Sequence, residues 1–264
     1  MTDAPTKRFL RPGKLALLIL LGVLVYFCAL VVLIPAGWVW QQASSRVVLP
    51  PQVQIHQVSG KVWAGAAVAS VQGIPVQLDW RLGLPSLSGL TLPVGFDART
   101  AQSSLQGNLE VAWPASARLN ARGSVHVPEF ETLIRQSGGA MLEGDIAIDR
   151  LQLELTDRKI RQASGYGRWP GGMVTWPMGA QTGSARFPPM EATLDSAANG
   201  VALTVMEQGG GGPAAVANIL ANGMLELRVF KRMVDLAGQP WSGAASPDDV
   251  IFSVRQPLLP GGRL

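Results

Sequence analysis

Ala117-Arg-Leu119-Asn-Ala121-Arg-Gly123-Ser-Val125-His-Val127 alternates small or apolar residues with polar ones without a break. Successive side chains on an extended backbone point to opposite faces, so this pattern dictates a strand with one face turned to a core. Pro128 stops it. The same period recurs upstream at Val76, Leu78, Trp80 and Leu82, opposite Gln77, Asp79 and Arg81. It recurs again at Leu105, Gly107, Leu109, Val111 and Trp113, stopped by Pro114. Downstream, Leu142, Gly144, Ile146 and Ile148 continue it, with Glu143, Asp145 and Asp149 outward. Leu151, Leu153 and Leu155 then fall on the other parity, so Asp149-Arg150 is the place for a bulge that restores the buried face.

The last third is less regular. Trp169, Trp176 and several prolines interrupt Tyr166–Pro189, which reads as loop with short strands. Asn199-Gly200 and Asn222-Gly223 are hairpin signals of the type I′ kind, each followed by alternating apolar residues. Gly209–Gly212 reads as a flexible tip, Lys231–Ala237 as one or two helical turns, and Trp241–Leu264 as a loosely held tail. Glycines inside the strand patterns, at 107, 123, 144 and 165, mark bends or close backbone approaches. The expected class is mainly β: a single domain of some ten or more antiparallel strands, forming a long curved sheet or an open barrel.

A different kind of segment precedes this domain. Leu15–Ile34 contains no charged side chain. Twenty residues of helix span about 30 Å, the hydrocarbon thickness of a bilayer. Lys7, Arg8, Arg11 and Lys14 crowd its near side against Asp3 alone, and Trp38 and Trp40 follow it. That bias puts the N-terminus in the cytoplasm and the remainder across the membrane. A cleaved signal peptide has a shorter apolar region, about 7–15 residues, ending in small residues; Pro35–Trp40 is bulky. The chain therefore divides into a basic cytoplasmic stub (1–14), a transmembrane helix (15–34), a connector (35–51) and a β-rich outer domain (52–264).

Composition narrows the chemistry. Of 22 basic and 18 acidic residues, four basic and one acidic precede Leu15, leaving 18 against 17 outside the membrane. A near-neutral domain is no phosphate-binding surface, which argues against nucleic acid as a partner. The single cysteine, Cys28, lies in the apolar run, so no intramolecular disulfide forms. His56 and His126, the only histidines, sit on the polar phase of strand patterns without ligand-spaced neighbours. Glu143, Asp145 and Asp149 read as a wet strand face, not paired acid–base carboxylates. No nucleophile elbow or phosphate-binding glycine motif occurs, and Gly209–Gly212 is a plain glycine run. The expectation is no enzyme, no catalytic residue, no cofactor, no metal and no small-molecule substrate.

One stretch is more particular. Val58-Ser-Gly60-Lys-Val62-Trp63-Ala-Gly65 is followed by Leu78-Asp-Trp80-Arg-Leu82 and then by Pro85, Leu87 and Gly89. Trp63 and Trp80 read as core anchors of the first strands, each burying on the order of 200 Å². This combination, with Gly123–Leu133 in support, resembles the type II secretion system protein N family. Tyr166–Pro189 carries no family pattern. The resemblance implies a structural or assembly component of a secretion machine's inner-membrane platform, in the cell inner membrane with its bulk periplasmic. It would act by protein contact with other platform subunits. The family is similar in outline to AsmA-type proteins, whose long curved sheets can hold lipid, so a lipid-handling module is the alternative. The system's clamp-like protein C shares the topology, but no second domain after a linker is evident here.

The charge bias predicts a topology. Alkaline phosphatase fused after Gly60 should be active in cells and after Gly13 inactive; the reverse pattern would refute it.

Overall fold

A computed structural model of the protein describes residues 18–23, 25–26, 33–46, 52–86, 90–136, 139–157, 159–179, 181–220 and 222–257. Among these residues sixteen strands follow a short helix, α1 (Ala36–Ser44). The first six are β1 (Val53–Lys61), β2 (Ala64–Val71), β3 (Ile74–Leu82), β4 (Thr91–Arg99), β5 (Ser104–Ala112) and β6 (Ser116–His126). A 3-10 turn (Val127–Phe130) and α2 (Glu131–Gln136) lead to β7 (Met141–Leu142), β8 (Asp145–Thr156) and β9 (Lys159–Trp169). Then come β10 (Gly172–Met178), β11 (Gln181–Phe187), β12 (Met190–Ala197), β13 (Gly200–Glu207), β14 (Pro213–Leu220) and β15 (Met224–Phe230). Helix α3 (Lys231–Leu236) separates β15 from β16 (Val250–Pro257).

Thirteen of these strands form one antiparallel sheet, in the order β1-β2-β3-β4-β5-β6-β8-β9-β12-β13-β14-β15-β16. It ends at β1 and β16 and does not close, so the open sheet replaces the barrel alternative. Register divides its residues into two sets. Cross-strand partners of Val58 run Ala67, Leu78, Ala98, Leu105, Gly123, Ile148, Gly167, Ala192, Val205, Ala215, Val229 and Phe252. The row is apolar or glycine from the first strand to the last. A row of opposite parity, through Arg81, Gly95, Asn108, Asn120, Gln152, Ser164 and Asp195, is polar apart from its glycine. Period-two patterning in each strand thus sums to two chemically distinct faces.

Several bulges keep those faces aligned, and the one that matters most lies where the sequence slips. The β6–β8 register shifts between Ala121 and Gly123, and β8–β9 shifts between Ile148 and Arg150. The bulge at Asp149 returns Leu151, Leu153 and Leu155 to the apolar side. Nearby, a Cβ on Gly123 would collide with the Ser104 carbonyl, and one on Gly107 with the Asn120 carbonyl. Only glycine allows those strands to approach as they do.

Several expectations are corrected. Tyr166–Pro189 is ordered strand: it completes β9 and forms β10 and β11, which pair with β7 as a second sheet, β11-β10-β7. The prolines sit at strand ends and near an edge, where a missing N–H costs little. This excursion makes the best-buried core, with Trp169, Val174, Ala185, Phe187, Met190 and Ala214 packed against Leu142, Ile146, Trp176, Met233 and Leu236. Leu142 and Ile146 do not share a strand, because Gly144, at φ +86°, breaks the chain between β7 and β8. The tail from Trp241 contains β16, paired along β15. The connector contains α1 packed on β1, where Gly37 lies against the Val58 carbonyl. Hairpins form at both Asn-Gly sites, but among the described residues the two-residue turn with positive φ at both positions is Gln72-Gly73, at +51° and +87°.

Of Leu15–Ile34, residues 18–23 and 25–26 are helical with exposed side chains, and 15–17, 24 and 27–32 lie outside the described residues, as does the 1–14 stub. Among the described residues no helix is long and apolar enough to cross a membrane.

Trp169 is 5% exposed, and its indole N–H donates to the Glu143 carbonyl at 2.8 Å, bolting the two sheets together. Trp169→Ala should cost about 3–5 kcal/mol. Thermal melting by circular dichroism should show a large fall for this variant and almost none for exposed Trp113→Ala; equal effects would contradict the placement of the core.

Candidate interaction surfaces

The polar residues singled out from the sequence are dispersed, each by the strand that carries it. His126 on β6 faces its register partner Asp145 on β8, with Nδ1 2.6 Å from Oδ1. His56 Nε2 lies 3.0 Å from the Ser70 hydroxyl on the neighbouring strand. Asp149 accepts a two-pronged pair of hydrogen bonds from Arg168, both 2.8 Å. Those bonds hold its carboxyl below the ordinary aspartate range and raise the guanidinium of Arg168. Glu143 turns the other way: its carboxylate accepts from the Met173 backbone N–H at 3.0 Å and fixes β7 to β10. The three carboxylates therefore belong to three separate contacts. Among the described residues no group of His, Cys, Asp and Glu could hold a metal ion. Gly209 and Gly210 form the turn after β13.

A tighter polar cluster escaped sequence reading. Glu129, in the 3-10 turn, accepts from the Thr100 hydroxyl at 2.5 Å, the Ser103 hydroxyl at 2.7 Å and the Ala101 N–H at 2.9 Å. Partial burial pushes its carboxyl up, but bonds from Thr100, Ser103 and the backbone of Ala101 and Gln102 outweigh that and leave it lowered. Glu129 and the turn it fastens are 26 or more positions apart, so no local motif announces the contact. It locks the β4–β5 turn beneath β6.

The tryptophan-glycine stretch is explained by register. Gly60, Gly65 and Trp80 are cross-strand partners in one row of β1, β2 and β3. The indole lies over Gly65, where an added Cβ would meet Cζ2 at 2.5 Å. Its N–H donates to the Val62 carbonyl at 2.9 Å, tying the β1–β2 turn to β3. Trp63 and Trp80 are both half-buried. Gly65 is the seat of the ring, while Gly60, at φ +79°, lies against Gly65 and the Ala64 carbonyl beside it.

Three surfaces remain open. The apolar face of the large sheet keeps Leu78 and Phe252 exposed, and its wider side chains are only half-covered. A trough of about 850 Å³ crosses β3 to β6 and β8, lined by Trp80, Phe96 and Leu151 together with Arg81, Asn120 and Gln152. The third surface is the outer edge of β16.

The family model for type II secretion system (T2SS) protein N matches residues 51–246. The chain belongs to that family. The match begins just before β1, takes in Tyr166–Pro189 and the second sheet, and stops short of β16. Membership in the protein N family makes the chain a type II secretion component. Comparison with curated proteins and with solved structures finds no match.

In this family member, Gly65 and Trp80 should behave as one unit. Gly65→Val forces the indole off its seat, and Trp80→Ala removes the ring. A double-mutant cycle on melting temperature should show the pair losing less than the two singles together, since contacting residues couple. Strict additivity would mean that Trp80 does not rest on Gly65.

Proposed function

We propose that the chain is a structural, assembly-type component of the inner-membrane platform of the secretion machine. In this reading it is anchored through residues 15–34 with its N-terminus cytoplasmic, and its sheet works in the periplasm by contact with other platform subunits. The observation that carries the reading is an asymmetry between the two edges of the sheet. The β1 edge is occupied: α1 packs on it, Pro35 bridges Lys61, and Val62 donates to the Ile34 carbonyl at 3.1 Å. No strand lies beyond β16 among the described residues. A bulge near its start leaves Phe252–Pro257 regularly paired on β15, with the outward N–H and C=O groups free for an added strand. Anchoring confines such an edge near other membrane proteins, so weak pairing suffices.

The lipid-handling alternative is favoured by one feature, the apolar rows that cross the sheet unbroken. The trough across β3 to β6 and β8 mixes both chemistries, with Trp80, Leu82, Phe96 and Leu151 beside Arg81, Arg122 and amide side chains.

A photo-crosslinking residue at Ser253 or Gln256 in cells separates the two. Adducts with other inner-membrane secretion subunits are expected, with none from Gln54 on the occupied edge. Absence of such adducts, together with stoichiometric lipid retained in native mass spectra of the extracted chain, would overturn the platform role.

A further inference from the structure

In the first half of the large sheet, from β1 to β8, the two ends differ in chemistry. At one end the turns are polar: Gln72-Gly73 joins β2 to β3, and Thr100–Ser103 joins β4 to β5. The other end carries the most exposed large apolar side chains of the sheet's turns. Leu84 is 91% exposed, Trp113 76% and Leu90 61%. Val111 and Ile160, also exposed, stand one step inward. Surface apolar residues scattered singly need no explanation, but these are brought together by backbone contacts. Trp113 donates to the Leu90 carbonyl at 3.2 Å, and Asp157 donates to the Ala115 carbonyl at 2.9 Å. The connections after β3, β5 and β8 therefore form one rim.

The same rim is where the chain enters the sheet. Pro35 pairs antiparallel with Lys61 at the end of β1, and the Ile34 carbonyl meets the Val62 N–H. Since β1 runs toward the rim, the chain from Ile34 to Ala36 runs away from it. Lys61 and Lys159 also lie at this end, exposed and without a carboxylate partner among the described residues. Apolar and indole side chains flanked by lysines match the chemistry of a bilayer's headgroup boundary.

We propose that this rim docks on the membrane surface, with Leu84, Leu90 and Trp113 inserted at the headgroup–acyl boundary and Lys61 and Lys159 against lipid phosphates. The sheet then stands with its strands running away from the bilayer and its polar turns farthest from it. The inference rests on Leu15–Ile34 as a membrane helix and is independent of which subunits the sheet contacts.

The test uses the full chain with Cys28→Ser, reconstituted in vesicles of phosphatidylethanolamine and phosphatidylglycerol. An environment-sensitive fluorophore is attached at Leu84→Cys or Trp113→Cys, and for comparison at Gln72→Cys or Ala101→Cys. Retention of the chain in the vesicles at alkaline pH is scored first. Lipid carrying a nitroxide near the headgroup should quench the labels at 84 and 113 several-fold more than those at 72 and 101. Retained chains whose four labels are equally open to an aqueous quencher would overturn the proposal. Labels at 84 and 113 shielded from both quenchers would overturn it too, in favour of a protein contact. Chains washed from the vesicles would remove its basis altogether.

Discussion

Everything in this molecule depends on the antiparallel ladder staying in register across thirteen strands. A slip of one residue anywhere would turn an apolar row into a polar one and break both faces. The sequence defends the register at identifiable points. Gln72-Gly73 sets β2 against β3, Trp80 clamps the first three strands over Gly65, and Glu129 fixes the β4–β5 turn. The Asp149 bulge absorbs the parity change in β8, and Arg168 across the strand pair neutralises the carboxylate it exposes. Such a sheet lacks the second layer that ordinarily buries a β-domain's core. Trp169 and the small β7–β10–β11 sheet supply one locally, under β9, β12 and α3.

The strands around Ala117–Val127 were legible because one face is apolar and the other wet, so period two survives in the sequence. The phase change at Asp149-Arg150 was legible for the same reason. Tyr166–Pro189 was not, since tryptophans and prolines interrupt the alternation that marks the other strands. The edge strand β16 was missed because its polar neighbours Ser253, Arg255 and Gln256 are what an edge exposes, and they resemble a tail. The helix α1 lies in a connector with no capping signal: Pro35 precedes it and no side chain caps it. Interaction surfaces were least legible of all. A rim assembled from Leu84, Leu90 and Trp113 exists only once two hairpin ends are set side by side.

The protein N family assignment and the sheet agree on the kind of work done. Titratable residues are spent on cross-strand pairing, as His126 with Asp145 and Arg168 with Asp149, and leave no poised acid–base set among the described residues. What the fold offers is surface: an edge at β16, an apolar face, a trough of mixed lining, and an apolar rim at the end where β1 meets Ile34. In the proposed role, such a protein acts by where it holds its partners. Its placement is then as important as its contacts, and a rim that fixes the sheet's orientation on the bilayer would also fix the direction in which β16 faces.

The central claim is that the sheet is open, with β1 and β16 as separate edges. Spin labels at Ser59 and Ser253, read by pulsed dipolar spectroscopy in the full chain, test it directly. Strands that close a barrel stand about 4.8 Å apart and hold two such labels within about 20 Å, so an open sheet predicts a longer, well-defined distance. A separation as short as that between labels at Glu226 and Arg255, true neighbours on β15 and β16, would contradict it.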